Sequence, residues 1–219
     1  MGDIGAGCHG RPHKSFRVSL YEVSRVCSPD ELSAIFERLL DELDPHSSRS
    51  GLHDTPLRAA KAYKYLTSGH EKKPAEVLKC FEDGAEDYDS MVFQAKIPIY
   101  SFCEHHVLPF FGVIHIGYIP SKKIVGLSKL TRLVRVFAQR LQVQERITTQ
   151  VTDALMEHLD PRGVGVVLRC RHLCMEMRGV QTPGTLTYTS CLRGDMYHDA
   201  STRAEFMDFV LAADKDLRV

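Results

Sequence analysis

Segments with strand character and segments with helix character are segregated along this chain, and that order constrains its fold more than any other property. From about Met91, the short runs Met91–Phe93, Ile97–Phe102 and Gly112–Ile119 are rich in Val, Ile, Tyr and Phe, which predicts strands. Ser128 opens a helical stretch in which Leu130, Leu133, Val134 and Phe137 are spaced for one face. A further helix is expected over about Gln144 to Leu159, with Ile147, Val151 and Leu155 inward, stopped by Asp160-Pro161-Arg162-Gly163. A long strand over about Val164 to Met177 should follow, then the less regular segment Gln181 to Asp199, then a last helix from Thr202 onward. Strand runs and helix runs do not alternate, so the expected class is α+β with an antiparallel sheet.

Two amphipathic helices precede this region. Ser28-Pro29-Asp30-Glu31 has a capping serine, proline at the first helical position and acidic residues in the first turn. Leu32, Ile35, Phe36, Leu39, Leu40 and Leu43 then form one apolar stripe, ended by Pro45 to Gly51. A second helix should run from Thr55-Pro56 through Leu66, with Gly69 near its end. Both read as packing elements, against the main domain or against another subunit. Residues 1–27 carry few structural signals and are expected to form a flexible arm. The expected organisation is an arm (1–27), a helical region (28–90) and a main domain (91–219).

Charge excludes some partners. Lys+Arg and Asp+Glu both number 28, without the basic excess that binding to nucleic acid phosphates requires. No stretch approaches the ~20 apolar residues of a membrane span. Met1 to Ser15 is rich in Gly and His and lacks a signal peptide's apolar core, so a cytoplasmic setting is expected. The seven cysteines are odd in number, irregularly spaced and sparse, unlike a disulfide framework. Clustered Cys and His in such a chain point to metal or catalysis.

The clusters are Cys103-Glu104-His105-His106 and His172-Leu173-Cys174. Cys103 and His106 are close enough in sequence for one tight turn to bring thiolate and imidazole to the same ion. On a strand over Val164–Met177, Cys170, His172, Cys174, Glu176 and Arg178 would share one face, the wall of a site and not a plain core face. A lone C-x-x-H pair is often coincidence or a packed thiol; a second Cys/His pair on a polar face favours metal. Sulfur and imidazole ligands suit zinc. Cys103, His106 and Cys174 would make a three-ligand, catalytic site, with His105 and His172 as neighbours; Cys170 as a fourth ligand would make it structural.

Other motifs are weaker alone. In Gly126-Leu127-Ser128-Lys129-Leu130-Thr131-Arg132, a helix start carrying Ser128, Lys129 and Arg132 makes an anion-friendly corner, though a solvated first turn is the blander reading. Gln142-Val143-Gln144-Glu145-Arg146 is unremarkable by itself, and Arg178-Gly179 would lie on the face of the metal ligands.

Together these segments, with Gly51-Leu52-His53-Asp54-Thr55-Pro56-Leu57-Arg58, resemble the GTP cyclohydrolase I family, over about residues 30 to 210 and in the family's order. The resemblance implies the tunnelling fold: antiparallel sheets and paired helices, closed into barrels between subunits, with 91–219 the catalytic domain. It implies a homo-oligomer, usually a decamer of two stacked pentamers, with active sites at subunit boundaries. It implies one Zn2+ per subunit on Cys103, His106 and Cys174, with Cys170 only a neighbouring thiol. GTP would be hydrolysed at guanine C8 by a zinc-bound water, releasing formate and forming 7,8-dihydroneopterin triphosphate. By the same likeness His105, His172 and Ser128 are catalytic. Glu145 binds guanine, Gln144 is a further substrate-binding residue, and Lys129, Arg132, Arg178 and Arg58 hold the triphosphate, Arg58 from an adjacent subunit. A tunnelling-fold relative acting on a pterin or deazaguanine, and a silent metal-binding scaffold, are the rival readings. The resemblance names no regulatory partner.

Overall fold

The computed structural model describes residues 28–82 and 88–215. The arm expected over 1–27 lies outside the described residues. Contacts divide the chain into two units, one ending at Ala60 and one beginning at Lys61. In the first, helix α1 (Pro29–Leu43) begins as its sequence predicts. The Ser28 hydroxyl accepts from the Glu31 backbone N–H at 3.2 Å, and the Glu31 carboxylate accepts from the Ser28 N–H at 2.7 Å. Its apolar stripe is open: Ile35, Leu39 and Leu43 are exposed. Helix α2 (Thr55–Leu66) follows and crosses into the second unit.

The second unit continues through α3 (Pro74–Val77), β1 (Cys80–Phe81), β2 (Val92–Cys103), β3 (Pro109–Ile119), β4 (Ile124–Val125) and α4 (Leu127–Ala138). Then come β5 (Leu141–Gln142), α5 (Gln144–Leu159), β6 (Gly163–His172), α6 (Leu173–Glu176), β7 (Thr187–Gly194), α7 (Asp195–His198) and α8 (Ala200–Asp214). Its main sheet has the order β5-β2-β3-β6-β7, antiparallel except where short β5 runs parallel to β2. The two strands expected at Met91–Phe93 and Ile97–Phe102 are one strand, kinked by a bulge between Gln94 and Ile97 where Lys96 takes φ 55°.

Two expectations need correction. The strand expected to reach Met177 ends at His172, whose partner Phe110 is nearly the first residue of β3. Beyond it the backbone has no strand to bond, and Leu173–Glu176 coils into a single helical turn closed by Met177 N–H to Leu173 C=O at 2.9 Å. The segment Gln181 to Asp199 contains a full edge strand, β7, paired with β6 from Gly163↔Gly194 to Cys170↔Thr187. Its side chains alternate without a plainly apolar face, which is why its sequence reads as irregular.

The core lies between the sheet and the pair α4 and α5. Leu130, Leu133 and Val134 of α4 and Ile147, Val151 and Leu155 of α5 are fully buried against Ile99, Ile114, Ile116, Val164, Val166 and Leu168 of the strands. Each such side chain contributes about 1.5–3 kcal/mol of burial. Asp160, at φ 51°, ends α5 in a left-handed cap. On the opposite face α8 sets Phe206 over the paired glycines Gly117 and Gly165. A Cβ on either would stand within 2.9 Å of that ring, so the absence of side chains makes its seat.

Candidate functional site

The two Cys/His clusters occupy adjacent ends of the sheet. Cys103, buried, is the last residue of β2, and its backbone N–H is held by the Leu108 carbonyl at 2.9 Å. The tight turn after it is closed by Val107 N–H to Cys103 C=O at 2.8 Å and lifts His105 and His106 into solvent. Cys103 Sγ lies 3.5 Å from His106 Nδ1 and 3.7 Å from His105 Nδ1. Cys174 comes from α6, so a helical turn delivers it where strand alternation was expected to.

Cys103, His106 and Cys174 offer ligand atoms all within 4.8 Å of one another, and they are the metal-competent group among the described residues. Bonds of ~2.0–2.3 Å to a tetrahedral ion place neighbouring ligand atoms ~3.3–3.8 Å apart, so the 3.5 Å spacing of Cys103 and His106 fits zinc's dimensions. Burial, reinforced by the neighbouring Cys103 thiol, pushes the Cys174 thiol above its ordinary pKa. A buried Cys174 thiol that resists ionising is poorly placed beside a second sulfur until a cation joins them. Cys170 stands apart from the group: it is fully buried in the main core, paired with Gly112, with burial raising its pKa.

Around this centre, His172 stacks on Phe110 with ring centroids 4.6 Å apart and planes 7° from parallel. Its Nε2 lies 2.8 Å from Gln144 Oε1. Burial lowers the pKa of His172, opposed by the charge of Glu145. Arg178 sets a guanidinium nitrogen 3.3 Å from His106 Nε2. Glu145 is exposed in the first turn of α5 and makes no ion pair among the described residues, unlike its neighbour Arg146, which grips Glu104 at 2.5 and 3.0 Å. That pairing, invisible to the sequence reading, ties the Cys103–His106 turn to α5 and lowers the Glu104 pKa.

The anion corner is present at α4. Gly126 is the N-cap without a side-chain bond, Ser128 and Arg132 are exposed, and neither Lys129 nor Arg132 has a carboxylate partner among the described residues. Arg58 belongs to the first unit, where it pairs with Asp54 at 2.8 Å. Gln144, expected as a substrate contact, is 2% exposed with its amide bonded to protein groups.

A family model described as GTP cyclohydrolase I matches residues 32–211. The chain belongs to the GTP cyclohydrolase I family. It is 56% identical over 189 residues to a GTP cyclohydrolase 1 of Janthinobacterium sp. (strain Marseille), covering 86% of this chain and 94% of the relative. To a GTP cyclohydrolase 1 of Nitrosospira multiformis it is 54% identical over 172 residues, covering 78% and 90%. To one of Corynebacterium glutamicum it is 48% identical over 189 residues, covering 85% and 95%. The chain is thus a GTP cyclohydrolase I enzyme, and its α+β architecture is the family's tunnelling fold. No helix among the described residues is long and apolar enough to cross a membrane.

Proposed function

We propose that this enzyme hydrolyses GTP at guanine C8, releasing formate and forming 7,8-dihydroneopterin triphosphate, with one zinc ion per subunit on Cys103, His106 and Cys174. The observation that supports this most is the meeting of three S/N/S ligand atoms within 4.8 Å, with His105 Nδ1 3.7 Å from Cys103 Sγ and His172 two residues before Cys174 in the chain. When bound, zinc lowers the pKa of a coordinated water toward ~7 and so supplies the nucleophile.

The chain's own residues do the rest. Glu145, without an ion-pair partner among the described residues, accepts from guanine N1–H and the exocyclic amine. Lys129, Arg132, Arg178 and Arg58 take the triphosphate charge, Arg58 from a neighbouring subunit. His105, exposed beside Cys103, gives a proton to the imidazole-ring nitrogen as C8 is attacked. His172 moves protons during ring opening, and Ser128 assists as the sugar chain rearranges before ring closure. Every one of these residues except Arg58 falls within 91–219. The working form is a homo-oligomer, a decamer of two pentamers, acting in the cytoplasm without nucleic acid or membrane partners. Removing zinc with a chelator should abolish turnover, and one equivalent of zinc per chain should restore it; full activity in zinc-free protein would refute the reading.

A further inference from the structure

Gln144 is positioned by groups that leave its amide no freedom. Its Nε2 lies 3.0 Å from the Leu168 carbonyl, 2.9 Å from the Thr187 carbonyl and 3.2 Å from the Thr189 hydroxyl. That hydroxyl is itself 2.7 Å from Thr148 Oγ1. Backbone carbonyls only accept, so both must meet the NH2 end of the amide. Turning the amide over would set its oxygen against two carbonyl oxygens in a site where Gln144 is 2% exposed, leaving buried acceptors facing one another. The oxygen therefore faces His172, whose Nε2 is 2.8 Å away. An amide oxygen cannot donate, so Nε2 must carry the hydrogen.

Resting on the reading that His172 exchanges protons with substrate, we propose that Gln144 is a positioning residue that holds His172 in its Nε2–H tautomer and leaves Nδ1 as the exchanging atom. Two strand carbonyls orient an amide, the amide orients an imidazole, and Phe110, stacked at 4.6 Å, fixes the ring plane. Nδ1 makes no hydrogen bond among the described residues, so it is left for substrate or water. Gln144 acts through His172 and has no face left for guanine.

Solid-state 15N NMR of the zinc-loaded oligomer, labelled at histidine ring nitrogens, tests this directly. The His172 signals are assigned by their loss in His172→Asn. The wild-type spectrum should show His172 protonated at Nε2 and bare at Nδ1; an Nδ1–H tautomer overturns the proposal even if no Gln144 variant folds. In Gln144→Leu the two tautomers should mix and kcat should fall at least ~10-fold, with the KM for GTP changed less than ~2-fold and zinc retained. A raised KM with kcat intact would make Gln144 a direct substrate contact and overturn it likewise. Near-normal turnover in His172→Asn would remove the underlying role of His172 while leaving the tautomer result standing, so the two failures are distinguishable.

Discussion

Cys103 and Cys174 offer their sulfurs to one site although the strands that lead to them, β2 and β6, are not neighbours in the sheet: β3 lies between them. They meet because both strands end beside the start of β3 and each continues into a tight turn. Cys103→Ala or Cys174→Ala should therefore lose zinc and activity together, while Cys170→Ala, in the core behind the site, should keep both. Elemental analysis showing about one zinc per chain in the Cys174 variant would contradict the ligand set.

In the function proposed above, Glu145 carries the recognition of guanine. An ionised carboxylate only accepts, and guanine presents two donors where adenine presents an acceptor at N1 and no amine at C2. Glu145→Gln should lower kcat/KM for GTP by at least ~10-fold and narrow discrimination against ATP, with zinc content unchanged. Intact GTP kinetics in that variant would reduce Glu145 to a solvated helix residue.

Phe206 fastens α8 to the sheet through the Gly117–Gly165 seat. Phe206→Ala should cost about 3–5 kcal/mol, read as a lowered urea midpoint at fixed protein concentration. Zinc content should hold, because the metal turns lie beyond the seat along the strands. A midpoint shifted by less than a tenth of this cost would mean that α8 is held elsewhere.

On the same face, His115 of β3 is fully buried, 3.3 Å from Asp214 of α8, stacked on Phe93 and close to Arg169 and Lys96. Burial lowers its pKa; Asp214 opposes this, and the charges of Arg169 and Lys96 reinforce it. A histidine whose folded pKa lies below the unfolded value of ~6.5 contributes fully above that pH. As pH falls below ~6.5 the unfolded chain takes the proton first, and the contribution is lost down toward the folded pKa. The drop in urea midpoint between pH 7.5 and 5.5 should be smaller in His115→Phe than in the wild type. Equal drops would mean that His115 does not titrate in this range.

The helices were legible because their apolar spacing is strict and their ends are marked: Ser28 with Glu31, and Asp160-Pro161 after Leu159. So was the pairing of Cys103 with His106, because they share one turn; the choice of Cys174 over Cys170 as their third partner came from the family resemblance. The delivery of Cys174 was not, since alternate polar residues after His172 read as strand while the loss of a sheet partner turns the backbone helical. β7 was missed because its inward Thr189 meets the Gln144 amide and the Thr148 hydroxyl, a polar contact with no apolar signature. The hold of Gln144 on His172, and that of Asp214 near His115, join residues far apart in sequence that only the folded sheet brings together.

The most direct test of the account is to follow the carbon it says is lost. GTP isotopically labelled at C8 is incubated with the zinc-loaded enzyme, and the products are separated. All of the label should appear in formate, in equal amount to a triphosphate-bearing product that becomes a fluorescent pterin on oxidation. Label retained in the nucleotide, or phosphate released with C8 still in the ring, would contradict hydrolysis at guanine C8 by this site.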